Sequence, residues 1–229
     1  MLRTLSALVA LAASAALAGC GSSTGTGPPS DGAAGGITVV APSTQPAVAH
    51  DVVMIIRHGE KPDGSAPGLD AAGEEDDSSL TALGWERAHA LVGLFDPAEG
   101  DPRPGLTRPA TIYAAGVTDE GEGQRTRETV APLAEALGVP VDTEFGKGDE
   151  KKLVKKVLEQ SGPALISWQH GEIPAIVDEF PDVSPEPPEE WPSDRFDVVW
   201  TLTRTADGWQ FAQAPELVLP QDRSDVIEE

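Results

Sequence analysis

The chain has a single cysteine, Cys20, in 229 residues. No intramolecular disulfide can brace it, so its fold has to hold by packing. Basic residues are scarce: 16 Lys and Arg face 38 Asp and Glu, for a formal charge of −22. That balance argues against a nucleic-acid partner, because a phosphate backbone demands a basic footprint. Long apolar runs are missing as well. The stretch from Leu5 to Leu17 falls short of the roughly 20 apolar residues that a spanning helix needs. No internal repeat is visible. No His, Cys, Asp or Glu grouping has zinc or EF-hand spacing, so neither a metal nor a cofactor is expected.

What is present begins with the N-terminus. Arg3 precedes the short apolar run, and Leu17-Ala18-Gly19-Cys20 is followed by Gly-Ser-Ser. This resembles the bacterial lipobox, in which the leader is cut before a cysteine that becomes lipidated. The alternative is an ordinary secretory signal in which Cys20 is incidental. The lipobox reading implies a cell-envelope protein, held by lipid on Cys20 at the outer face of the cytoplasmic membrane or otherwise extracytoplasmic. The expected organisation is a signal peptide over 1–19, a Gly/Ser/Thr/Pro-rich tether over 20–45 and one folded domain over 46–229.

Within that domain, Val52–Ile56 is a continuous apolar run with β-branched residues, the pattern of a strand buried on both faces. A loop is expected over 62–79. Thr81 is placed to cap a helix through Phe95, with Ala88, Leu91, Val92 and Phe95 on one face. A strand over 111–115 follows. The spacing of Val130, Leu133, Ala134 and Leu137 predicts a helix over 124–137, stopped by Gly138 and kinked at Pro132. A helix over 149–160 puts Leu153, Val154, Val157 and Leu158 inward and its lysines in solvent. A strand over 164–168, a short helix over 173–180, an acidic Pro-rich loop over 181–192 and strands over 196–202 and 209–219 complete the chain. The last two suit a hairpin across 206–208. The tryptophans are expected in the core or pinning loops, and His89 and His50 have no evident role. Strands alternating with helices give an α/β three-layer sandwich, a mostly parallel central sheet covered by helices on both faces. Active sites in such sheets form at the C-terminal ends of strands.

Arg57-His58-Gly59-Glu60 stands at such an end. A guanidinium forks onto phosphate oxygens, and a neutral imidazole can attack phosphorus and carry the phosphoryl group. Gly59 lets the backbone turn and approach a ligand. An acidic surface repels phosphorylated molecules at range, so the site must be a local cationic pocket. Salt screens the opposing field beyond about 8–10 Å.

Further motifs follow in order: Leu80-Thr81-Ala82-Leu83-Gly84, Tyr113-Ala114-Ala115-Gly116, Arg125-Thr126-Arg127-Glu128-Thr129-Val130 and Ile166-Ser167-Trp168-Gln169-His170-Gly171. Together with the Arg-His-Gly motif they resemble the histidine phosphatase (phosphoglycerate mutase-like) superfamily over residues 51–220. The resemblance implies a phosphoglycerate mutase-like fold and a metal-independent phosphatase acting through a phosphohistidine on His58. Arg57, Arg125, His170 and Gly59 would bind the phosphoryl group of a phosphoester substrate. Arg125 is preferred to Arg127, which points elsewhere on a helix. The general acid is Glu172 or one of Asp119, Glu120 and Glu122; Glu60 and Lys61 would shape the rim. Two other functions remain open on the same fold: a catalytically weak binder of phosphate ligands, and a cofactor-dependent mutase.

Overall fold

The computed structural model describes residues 52–228. The segments expected to be leader and tether, with Cys20, and His50 lie outside the described residues. In chain order the elements are β1 (Val52–Arg57), α1 (Ala82–Phe95), β2 (Thr111–Ala114), α2 (Gln124–Leu137), β3 (Val141–Asp142), α3 (Glu150–Glu159), β4 (Ala164–Trp168), α4 (Ile173–Asp178), β5 (Val183–Ser184), β6 (Val198–Arg204) and β7 (Trp209–Pro215).

The strands form one sheet in the order β3-β2-β4-β1-β6-β7-β5. β3, β2, β4 and β1 run parallel, and β6 is antiparallel to both β1 and β7. The apolar run of β1 explains its central place, because both faces of the strand are covered. Met54 and Ile56 pack with Leu91 and Phe95 of α1 and with Val130 and Leu133 of α2. Val53 and Ile55 face the other way, toward Leu153, Val154 and Val157 of α3 and Ile176 and Val177 of α4. The architecture is the expected three-layer α/β sandwich with a mostly parallel sheet.

Local signals explain most boundaries. Thr81 Oγ1 accepts from Gly84 N and caps α1. Gly138, in the left-handed region, closes α2. Pro132 lies inside α2, which runs on through it to Leu137. Leu158, expected inward, is 38% exposed at the last turn of α3. Lys151 and Lys152 are exposed and paired with Glu179 and Asp149. The two-residue strands β3 and β5 were not predicted; they are too short to carry a period, and β5 falls in the Pro-rich loop. Strand β6 begins two residues later than expected, which frees Phe196 from the ladder, and β7 stops at Pro215. Trp168, Trp191, Trp200 and Trp209 are buried, as expected. His89 is exposed, its Nδ1 2.7 Å from the Trp85 carbonyl.

Candidate active site

Strands β1 and β4 are parallel neighbours in which Arg57 pairs with Trp168. His58 N–H extends the ladder by donating to Trp168 O at 3.1 Å. The chain segments carrying His58 and His170 therefore leave the same edge of the sheet, side by side. His170 opens a single 3-10 turn, His170–Glu172, directly after β4.

The first turn of α2 brings the second arginine to that edge. Thr126 Oγ1 accepts from Ala115 N at 3.1 Å and ties the helix to the end of β2. Thr129 Oγ1 accepts from Gly59 N at 2.8 Å and donates to Arg125 O at 2.7 Å, which ties it to the turn after β1. Glu128 accepts from Ser79 Oγ at 2.8 Å and Leu80 N at 2.9 Å, fastening the end of the 62–80 loop. Gly123, just before the helix, has φ +83°, and a Cβ there would stand 2.2 Å from Gly116 O. Gly123, Thr126, Glu128 and Thr129 thus each make a different tie, and Arg125 is the cation left facing the cup it forms with Arg57, His58 and His170. Its Nη1 donates to Asp77 O at 3.1 Å. Arg127 is exposed and lines a concavity with Asp70 and Ala71 instead.

Arg57 is the centre of the site, with 1% of its surface exposed. Its Nη1 donates to Ser193 O at 2.7 Å and Arg195 O at 3.0 Å. Its Cζ lies 3.7 Å from the centroid of the Phe196 ring, a cation–π stack. Nε and Nη2 have no partner among the described residues. One edge of the guanidinium is clamped and one face is covered, while Nε and Nη2 are buried without a hydrogen bond. Burial pulls Arg57 down to about 10, which leaves it a cation at neutral pH.

His58 is 4% exposed, and its Nδ1 lies 2.7 Å from Gly59 O. A carbonyl only accepts, so Nδ1 carries the hydrogen and the Nε2 lone pair is free. Burial, and then the charges of Arg57, Arg125 and His170, push the ring down to about 3, against the Gly59 bond that favours its protonated form. His170 is lowered as well, by burial and by Arg57 and Lys61. Both imidazoles are therefore neutral near pH 7.

A stability consequence follows. The unfolded chain takes a proton on His58 near pH 6.5, the folded chain only near pH 3. Stability falls as pH drops through that window, by about 1.4 kcal/mol per pH unit for this one group. Unfolding titrations between about pH 7.5 and about pH 4.5 are expected to show a shallower loss for His58→Gln than for the wild type. Parallel losses would mean the ring is not held neutral.

Gly59 is also held by its own packing. Its N–H is committed to Thr129, and a Cβ at this position would lie 3.0 Å from Gly84 O. Glycine at this position suits the close pass of the α1 N-terminus. Glu60, expected at the rim, is bound by Arg87, with Nη2 to Oε1 at 2.8 Å. Glu172 sits beside His170, ion-paired to Lys147 at 2.9 Å. Asp119, Glu120 and Glu122 are exposed. The sequence carried no signal for Lys147, Phe196 or the carbonyls of 193–195. A concavity of about 930 Å³ between Trp85, His89 and Pro132 contains none of the cup residues.

No protein-family model and no curated protein matches the chain. Among solved structures it is similar to the protein histidine phosphatase SixA complexed with tungstate, at 17% identity and a TM-score of 0.47, over 72% of this chain and 97% of that one. It is also similar to a mycobacterial glucosyl-3-phosphoglycerate phosphatase, at 13% identity and a TM-score of 0.44, over 72% and 98%. A third, a mycobacterial hydrolase, has 14% identity and a TM-score of 0.44, over 71% and 97%.

Proposed function

We propose that this chain is a metal-independent phosphohydrolase of the histidine phosphatase superfamily. It cleaves phosphate monoesters through a phosphohistidine on His58. One observation carries the reading: a fully buried arginine keeps two nitrogens, Nε and Nη2, without a partner among the described residues, beside a neutral imidazole whose Nε2 is free. A buried cation with unused donors is costly unless an anion completes it. Arg57 and Arg125 supply fixed charge, and His170 supplies a hydrogen bond. Phosphoryl transfer asks chiefly for positioning and charge stabilisation, so this set suffices.

In the first step Nε2 bonds to phosphorus as the ester P–O bond breaks. The leaving oxygen takes a proton, for which Glu172, beside His170, is the candidate donor. Water then attacks phosphorus and gives a proton back to that carboxylate, the P–N bond breaks and phosphate departs. Because Glu172 is held by Lys147, delivery of that proton requires the pair to separate. The same pairing favours a second reading, a phosphate-ligand binder with little turnover.

The test is hydrolysis of an aryl phosphate together with orthovanadate binding. Turnover inhibited competitively by vanadate is expected. Vanadate stabilisation without turnover would select the binder, and neither effect would end both readings. The Cys20 motif supports an extracytoplasmic, lipid-anchored location. Equal recovery of Cys20→Ser in the membrane fraction would count against that anchor.

A further inference from the structure

Two guanidiniums outside the cup are almost wholly buried, Arg87 and Arg195. Each joins the cup to the same distant segment. Arg87, on α1, donates from Nη2 to Glu60 Oε1 at 2.8 Å, two residues past His58. On its other side it donates to Glu216 Oε2 at 2.6 Å and to Asp222 Oδ1 at 2.8 Å. Arg195 donates to Asp197 Oδ1 at 2.8 Å and to Asp225 O at 2.6 Å. The Arg195 carbonyl is one of those that clamp Arg57 Nη1. Asp197 also accepts from Arg223 N at 2.7 Å, through Oδ2, and from Glu216 N at 2.7 Å, through its carbonyl. Asp222 caps its own turn by accepting from Val218 N and Leu219 N.

Packing does not explain these hubs. Ile227 is the one apolar side chain of 216–227 among the buried core residues. Burying guanidiniums with several carboxyls is no more stabilising than an apolar cluster of the same size. Three carboxyls crowd one guanidinium at Arg87, and burial pushes Glu216 up to about 8. What such hubs supply is fixed geometry, because each guanidinium holds its partners in defined directions.

We propose that segment 216–227 is a positioning buckle for the phosphoryl cup: through Arg87 it holds the turn at 58–60, and through Arg195 it holds the carbonyls that aim the free edge of Arg57. This rests on the reading of the cup given above. The buckle touches no substrate. It fixes where Arg57 and His58 stand relative to each other, and so acts on the transition state more than on ground-state binding.

The test uses the full chain with Asp222→Asn and Arg195→Lys. Each keeps side-chain size close to the original and loosens one hub. On an aryl phosphate, kcat is expected to fall about tenfold and vanadate affinity by a similar factor, while KM and inorganic phosphate affinity change less than about threefold. Folded variants with a lowered melting temperature but wild-type kcat and vanadate affinity would show the hubs to be structural only, and overturn the inference. If Asp222→Asn does not fold, Arg195→Lys decides, since it retains the buried charge. A wild-type chain that neither turns over nor binds vanadate would remove the cup reading, and this inference with it.

Discussion

His58→Ala is expected to lower turnover of an aryl phosphate by on the order of 10⁴-fold or more, with vanadate binding retained in weakened form. The size follows from what is lost. The attacking atom is Nε2 of a ring whose other nitrogen is tied to Gly59 O, and among the described residues no second imidazole takes that place beside Arg57. His170 leaves the adjacent strand through a 3-10 turn and is only half-buried, so it cannot substitute. The cations remain, which is why an oxyanion should still bind. A second readout is independent of rate: the wild type quenched during turnover should carry an acid-labile phosphoryl group on a histidine, and the variant should not. A His58→Ala enzyme within tenfold of the wild type would dispose of the covalent mechanism.

Arg57→Lys is expected to cost about 10²–10³-fold in kcat/KM, most of it in kcat. The exchange keeps the charge, so electrostatics alone would predict a small change. The geometry predicts a large one. Arg57 performs two tasks with different nitrogens: Nη1 serves the carbonyls of Ser193 and Arg195, and Nε with Nη2 is left for an oxyanion. One ammonium cannot reach both, and it loses the flat face that stacks on Phe196. Near-wild-type activity in Arg57→Lys would mean that the free edge is not used, and the site would need a different reading.

Much of the fold was legible because its signals are local. The uninterrupted apolar run of β1 requires cover on both sides, and the 3.6-residue spacing in α2 runs between recognisable stops. Thr81 and Gly138 act through backbone groups a few residues away. The motif at 125–129 could be read as a helix start bearing a phosphate-site arginine. Its internal logic could not, because Thr126, Glu128 and Thr129 each bond to a segment distant in sequence. Gly59 illustrates the same limit. Its need for a bare Cα was clear, but the cause, the approach of Gly84, depends on how α1 packs against the turn.

By itself, then, the sequence determined the layered α/β architecture and the strand end that carries Arg57 and His58. These rest on periodicity, capping and side-chain chemistry, which act over one or two turns of chain. Only the tertiary structure decided which nitrogens of Arg57 are free, which tautomer His58 adopts, that Lys147 holds Glu172, and that an unremarkable acidic segment near residue 220 grips both sides of the cup. Hydrogen-bond partners and desolvation are set by groups from several distant segments meeting in one place, and no local pattern records which of them will meet.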